Sequence, residues 1–177
     1  MSGTTLSRRD RLAPIVRVKG GFTKEPTVAR IFICDDDPDI GNVLTYALAR
    51  AGHEVEVADD GTSALAAILE DPPDLVILDL MMPGLDGFAV LEALRGAGIG
   101  ESTRVMILSA RASEHVREQG YEAGADMYMA KPFDPDELVQ NVGELLSATS
   151  LELAARRQLE RDRAHLLSQL EDVFGDS

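Results

Sequence analysis

The chain reads as an α/β fold in which five short parallel strands, each followed by a helix, form one sheet covered on both faces. Three observations carry this reading. Short β-rich runs alternate five times with stretches of helical character. Three of the runs are almost wholly apolar, as strands buried on both faces are. Helix start and stop signals fall between the runs.

The elements follow in order. The first run, Ala29–Cys34, leads to Asp37-Pro38, a capping residue followed by proline at the first helical position. That pair opens a helix over Pro38–Ala51, which Gly52 ends. The second run, Glu54–Ala58, is half polar and reads as a sheet edge. A helix over Thr62–Glu70 is separated by Pro72-Pro73 from the third run, Leu75–Leu78. A helix over Phe88–Arg95 precedes the fourth run, Arg104–Leu108, and one over Glu114–Ala123, closed by Gly124, precedes the fifth, Met127–Ala130. Asp134-Pro135-Asp136-Glu137 is a capping box that starts a last helix over Pro135–Leu146. Five repeats of strand then helix imply right-handed crossovers and a parallel sheet.

Two segments flank this unit of residues 28–146. Residues 1–27 hold six basic residues, Arg8, Arg9, Arg11, Arg17, Lys19 and Lys24, against Asp10 and Glu25, with Gly20-Gly21 and Pro26 as breakers. They are expected to form a disordered basic tail. Residues 147–177 read as an amphipathic helical extension, with Leu151, Ala155, Leu159, Leu166, Leu170 and Val173 on one face at helical spacing. Asp162 and Arg163 interrupt the stripe, and three heptads are few for a coiled coil. Self-association or partner docking through the stripe is favoured over folding back on the domain.

Composition narrows the function classes. A chain of 177 residues suits one domain plus extensions. A net charge of −14 argues against a polyanion such as DNA as a direct partner. The one cysteine, Cys34, excludes an internal disulfide and fits a reducing, cytoplasmic compartment, and its place in an apolar run makes it a buried, inert thiol. No apolar run approaches the ~20 residues that span a bilayer, so no membrane association is expected. His53, His115 and His165 are scattered and lack ligand spacing, and no glycine-rich phosphate loop is present.

The chemistry-bearing residues sit just after the apolar runs. Asp35 and Asp36 follow the first, Asp79 the third, Ser109 the fourth and Lys131 the fifth. Successive strand ends of a parallel sheet line one edge, so these side chains converge. Carboxylates sharing a site repel one another, which a divalent cation relieves. Mg²⁺ takes a few carboxylates plus waters and phosphate oxygens, and Mn²⁺ would serve. Asp36 and Asp79 fit as direct ligands, with Asp35 acting through water. One carboxylate can then accept a phosphoryl group as an acyl phosphate. Lys131 would bring a positive charge to the phosphate oxygens and Ser109 a hydrogen bond. Singly, each has a dull explanation: a helix cap, a turn residue, a solvated lysine.

Together the residues resemble a known family. The pair Asp35-Asp36, the segment Asp79 with Met82-Pro83-Gly84 and Asp86-Gly87, Ser109-Ala110, and Lys131-Pro132-Phe133 are similar, in type and separation, to the receiver domain of two-component response regulators. The resemblance covers residues 28–146 and neither extension. It implies a flavodoxin-like, doubly wound sheet of order 2-1-3-4-5, with the site at the carboxyl ends of the strands. It implies that Asp79 accepts the phosphoryl group from a histidine kinase or phosphotransfer protein, with Mg²⁺ held by Asp35, Asp36, Asp79 and the backbone carbonyl of Met81. It implies Ser109 and Tyr128 as the switch pair and a cis peptide at Lys131-Pro132. Remodelling would follow on the face of the fourth helix, fifth strand and fifth helix, where a homodimer could form.

On this basis the chain is expected to be a phosphorylation-gated binding module without a DNA-binding output domain, and not an enzyme. The alternatives are a phosphoryl shuttle or sink, and a receiver with the signalling helix of a larger effector. A Mg²⁺-dependent phosphatase with an aspartyl intermediate is disfavoured, because Met81 stands where such enzymes carry a second Asp.

Overall fold

A computed structural model of the chain describes residues 28–99, 103–111 and 113–174; the expected basic tail, residues 1–27, lies outside them. Eleven elements alternate: β1 (Arg30–Cys34), α1 (Pro38–Arg50), β2 (Glu54–Ala58), α2 (Gly61–Glu70), β3 (Leu75–Leu78), α3 (Gly87–Gly96), β4 (Arg104–Ser109), α4 (Glu114–Glu122), β5 (Met127–Ala130), α5 (Pro135–Ser147) and α6 (Ser150–Phe174). The five strands form one parallel sheet in the order β2-β1-β3-β4-β5. The expected strands and helices are all present, with bounds displaced by a residue or so.

The strand sequences explain their places. β3 is Leu-Val-Ile-Leu, fully buried, and sits in the centre. β2 alternates glutamate with valine, keeps its residues partly exposed and forms the edge that its polarity predicts. The strand side chains alternate between two apolar layers. Phe32, Cys34, Val76, Leu78, Val105 and Ile107 pack toward α2, α3 and α4 on one face. Ile31, Ile33, Leu75, Ile77, Met106 and Leu108 pack toward α1 and α5 on the other.

The caps behave as the sequence indicates. Asp37 accepts from the amides of Asp39 and Ile40, and Asp134 from those of Asp136 and Glu137. Asp60, Asp86 and Ser113 cap α2, α3 and α4 in the same way. A further box opens α6. The Thr149 amide and hydroxyl both donate to the Glu152 carboxylate, and the Glu152 amide donates to the Thr149 hydroxyl oxygen at 3.3 Å.

α6 folds back on the domain with its apolar stripe turned outward. Leu153, Ala164 and Ser168 are buried, whereas Leu151 (80% exposed), Leu159 (67%) and Leu166 (58%) of the apolar stripe face solvent, as do Leu170 and Val173. The reason lies in what α6 packs against. The outer side of α4 is polar, so α6 meets it with groups that hydrogen-bond rather than with leucines. The Glu118 carboxylate of α4 pairs with His165 Nδ1 of α6, and Asp126, just before β5, lies 3.4 Å from Arg157 Nε. No described helix is long and apolar enough to cross a membrane.

Candidate functional site

The site forms at the carboxyl edge of the sheet because β1, β3, β4 and β5 end in register there. Cys34 pairs with Leu78, Leu78 with Ile107, and Ser109 with Ala130. One residue beyond these ends, the chain delivers Asp35, Asp79 and Lys131. Backbone bonds carry the ladder past the strands: the Asp79 amide donates to the Cys34 carbonyl at 2.8 Å and the Lys131 amide to the Ser109 carbonyl at 2.9 Å. The fold therefore fixes the backbone under each functional side chain.

The predicted residues come together. Asp35, Asp36 and Asp79 each offer a carboxylate oxygen, and these oxygens lie within 4.8 Å of one another. Asp35 and Asp79 are buried, while Asp36 is exposed. Lys131 Nζ lies 2.6 Å from Asp35 Oδ2 and 3.2 Å from Asp79 Oδ2. The amides of Asp37 and Met81 donate to Asp35 Oδ1 and Asp79 Oδ1 at 3.0 and 3.2 Å. Ser109 is fully buried at the end of β4, and its Oγ accepts from the Arg111 amide at 3.3 Å. The Met81 side chain is exposed beside Asp79. The Lys131–Pro132 peptide is cis.

Two close approaches shape the loop after β3. A Cβ on Gly87 would lie 2.2 Å from the Asp79 carbonyl oxygen and 2.8 Å from the Leu80 Cα, so only glycine lets α3 begin against the backbone that carries Asp79. The Gly87 amide donates to the Leu80 carbonyl at 3.3 Å. Gly84 holds a positive φ of 78°, which turns the chain after Met82-Pro83.

The electrostatics follow from burial. Burial pushes the Asp35 carboxyl above its ordinary value of 3.8, and the hydrogen bond from Lys131 offsets this only in part. Burial acts to lower the Lys131 ammonium, yet its hydrogen bond and charge interactions with Asp35 and Asp79 win and raise it. The Cys34 thiol is pushed up to about 12 by burial and by the neighbouring Asp35 charge, which makes it the inert thiol its sequence context indicates.

The donor set fits a hard divalent cation. In an octahedral Mg²⁺ shell, adjacent oxygens are about 3 Å and opposite ones about 4 Å apart, so three carboxylate oxygens within 4.8 Å need only small side-chain movements to share one. Three carboxylates and one ammonium leave a formal charge of −2, which a divalent ion cancels.

On the far side of Ser109 lies an aromatic connection. The Tyr128 ring is turned inward and buried, and its hydroxyl donates to the Arg111 carbonyl. The Arg117 guanidinium of α4 sits over that ring, 5.4 Å from its centroid. Sequence reading singles out Tyr128 but misses Arg117, Glu118 and His165. Arg117 sits one turn into a cap-started helix, where an arginine is ordinarily a solvated surface residue.

Comparison with known proteins agrees with the geometry. Residues 31–143 match the family model described as the response regulator receiver domain. The chain is 42% identical over 132 residues to the response regulator MprA of Mycobacterium tuberculosis, covering 75% of this chain and 56% of that protein. It is 37% identical over 150 residues to the transcriptional regulatory protein TrcR of the same organism, covering 85% of this chain and 58% of that protein. The chain thus spans little more than half the length of these curated relatives. Among solved structures it resembles the Francisella response regulator 1452 receiver domain, at 36% identity and a TM-score of 0.63, covering 67% of this chain and 96% of that one.

Proposed function

Because the chain belongs to the response regulator receiver domain family, we infer that it accepts a phosphoryl group on Asp79, from a histidine kinase or phosphotransfer protein, and uses it to switch an association surface. One observation carries the reading: Lys131 Nζ bridges Asp35 and Asp79 at the ends of successive strands, with Ser109 on the strand between β3 and β5.

Each residue has a part that its position supports. Asp79 is the nucleophile. Its Oδ1 is held by the Met81 amide, leaving Oδ2 toward Lys131. When bound, Mg²⁺ would supply charge neutralisation at the developing phosphoryl negative charge. Asp35, Asp36 and Asp79 would hold it, together with the Met81 carbonyl. Lys131 would move from its two carboxylates toward the phosphoryl oxygens as they arrive. Ser109 would offer its hydroxyl to the same group, and Tyr128 would move with Ser109 as the switch pair. The exposed Met81 side chain flanks the route by which water would reach the acyl phosphate.

The surface switched is α6 together with the α4–β5–α5 face. Leu159, Leu166, Leu170 and Val173 leave an apolar row in solvent on the outer side of α6. The α6 sequence is nearly neutral, with four arginines against five acidic residues, in a chain of net charge −14. It is therefore the element through which two like-charged copies approach with least repulsion. The curated relatives include a protein named as a transcriptional regulator. The association read here is with protein rather than DNA, because the described surface is acidic.

The test is intact-mass measurement after incubation with Mg²⁺ and a small acyl phosphate donor, followed by molar mass with beryllofluoride as a phosphoryl mimic. One phosphoryl group should appear in the wild type and none in Asp79→Ala. Labelling that persists in Asp79→Ala would overturn the assignment. Labelling with an unchanged molar mass would leave the phosphoryl shuttle as the better reading.

A further inference from the structure

α6 lies on α4 through a polar interface. Glu118 is the centre of it, a carboxylate only 8% exposed on an otherwise hydrophilic helix. It pairs with His165 Nδ1 of α6, the buried Ser168 of α6 lies beside it, and His115 Nδ1 of its own helix lies 3.9 Å away. The other end of α6 is held differently. Leu153 is buried in the apolar layer with Leu145 of α5, and Arg157 reaches the buried Asp126. α6 is thus anchored at its first turns by apolar contact and fastened along its second half by a few polar bonds and Ala164. An element with few buried apolar contacts opens at low free energy.

The inner side of α4 touches the switch residues. Gly120 packs so closely that a Cβ there would lie 2.8 Å from Ile107 Cδ1 and 3.3 Å from Tyr128 Cδ2. Arg117 covers the Tyr128 ring from the same helix. Tyr128 in turn donates to the Arg111 carbonyl, and the Arg111 amide donates to Ser109 Oγ. One short helix therefore contacts Tyr128 with one face and holds α6 with the other. Any displacement of Ser109 and Tyr128 must move α4 or strain it, because interiors at this packing density shift as units.

We propose that α6 is a built-in occupant of the α4 face, fastened by the Glu118–His165–Ser168 clasp, and that phosphoryl occupancy at Asp79 loosens its second half through Tyr128 and α4. The proposal rests on Asp79 being the phosphoacceptor. In the unphosphorylated chain α6 excludes other proteins from α4. In the phosphorylated chain the second half of α6, with its outer leucine row, is free to associate. The phosphoryl group need act only on the small free energy that holds the clasp.

The experiment is amide hydrogen exchange on the full chain with Mg²⁺, with and without beryllofluoride, mimic binding being followed separately by fluorine NMR. Exchange over Glu160–Leu170 should quicken by about tenfold when the mimic binds, while Leu151–Arg157 changes little. Asp79→Ala should show no change. Glu118→Gln should give the same acceleration without the mimic, with β1 and β3 amides still protected. If those strands lose protection, Ser168→Ala replaces it as the test of the clasp. Bound mimic with unchanged exchange in α6 overturns the coupling. Unaltered exchange in a folded clasp variant overturns the clasp. Failure of the mimic to bind overturns the phosphoacceptor reading and the coupling with it, while the clasp variants still decide whether α6 is fastened through Glu118.

Discussion

Replacing Lys131 with methionine isolates the electrostatics of the site. The ammonium lies 2.6 and 3.2 Å from two carboxylates whose side chains are 2% and 7% exposed. Methionine keeps much of the stem and removes the charge. Two buried carboxylates then face each other, and breaking a buried pair in this way costs about 3–5 kcal/mol. Protonation sets a ceiling. Asp35 is the group that takes the proton, since burial already pushes its pKa above 3.8. Protonating a carboxyl of that value at pH 7 costs about 4.4 kcal/mol, and at pH 5 about 1.6 kcal/mol. The variant should therefore lose about 3–4 kcal/mol at pH 7 and under about 2 kcal/mol at pH 5. The sign follows from linkage. With its folded pKa above the unfolded value, Asp35 binds more protons in the folded state, so stability rises as pH falls through the folded pKa. Urea unfolding followed by far-ultraviolet circular dichroism reads this in a chain without Trp. Saturating Mg²⁺ should restore most of the loss at pH 7, because the ion replaces the missing positive charge. A loss that is equal at the two pH values, or untouched by Mg²⁺, would refute the picture of two carboxylates held together by one lysine.

Three other perturbations test separate parts of the structure. Gly87→Ala should cost about 2 kcal/mol and weaken beryllofluoride binding, because its Cβ would sit 2.2 Å from the Asp79 carbonyl oxygen; a silent substitution would mean that this loop is free to shift. Asp126→Asn keeps an acceptor for the Val105 amide at 2.8 Å but leaves Arg95 and Arg157 without their shared carboxylate, and should lower stability by about 3 kcal/mol in thermal unfolding. A cost below about 1 kcal/mol would show the network to be dispensable. The Cys34 thiol keeps its proton to about 12 when folded but loses it near 9.0 when unfolded, so stability should fall as pH rises above 9.0, by about 1.4 kcal/mol at one unit above it. Comparing alkaline unfolding of the wild type with Cys34→Ala isolates the effect, and parallel curves would refute it.

What was legible in the sequence depended on whether a local rule decided it. The strands and helices were, because each is set by a run of apolar residues and a cap. The polar edge of β2 and the buried run of β3 announce their places in the sheet. The site was also legible, since a parallel sheet brings strand ends to one edge whatever lies between them. The α6 interface was not. Its apolar stripe has the spacing of a contact surface, and the expectation of association through Leu159 and Leu166 followed from that spacing alone. The contact of α6 with its own domain uses Glu118 and His165, which are 47 residues apart and individually ordinary surface residues. Nothing in the local pattern marks such a pair, because it exists only once the fold brings His165, itself largely exposed, onto the buried Glu118. The capping box Thr149–Glu152 was open to sequence reading and marks where α5 ends and α6 begins. By separating the two helices there, it turns α6 back across the sheet's end, where Leu153 joins the apolar layer and Arg157 finds Asp126. From those anchors the rest of α6 runs along α4. The stripe faces water because the turn, not the leucines, decides which side of the helix meets the domain, and an apolar row left outside by the fold is a surface that a second chain can still cover.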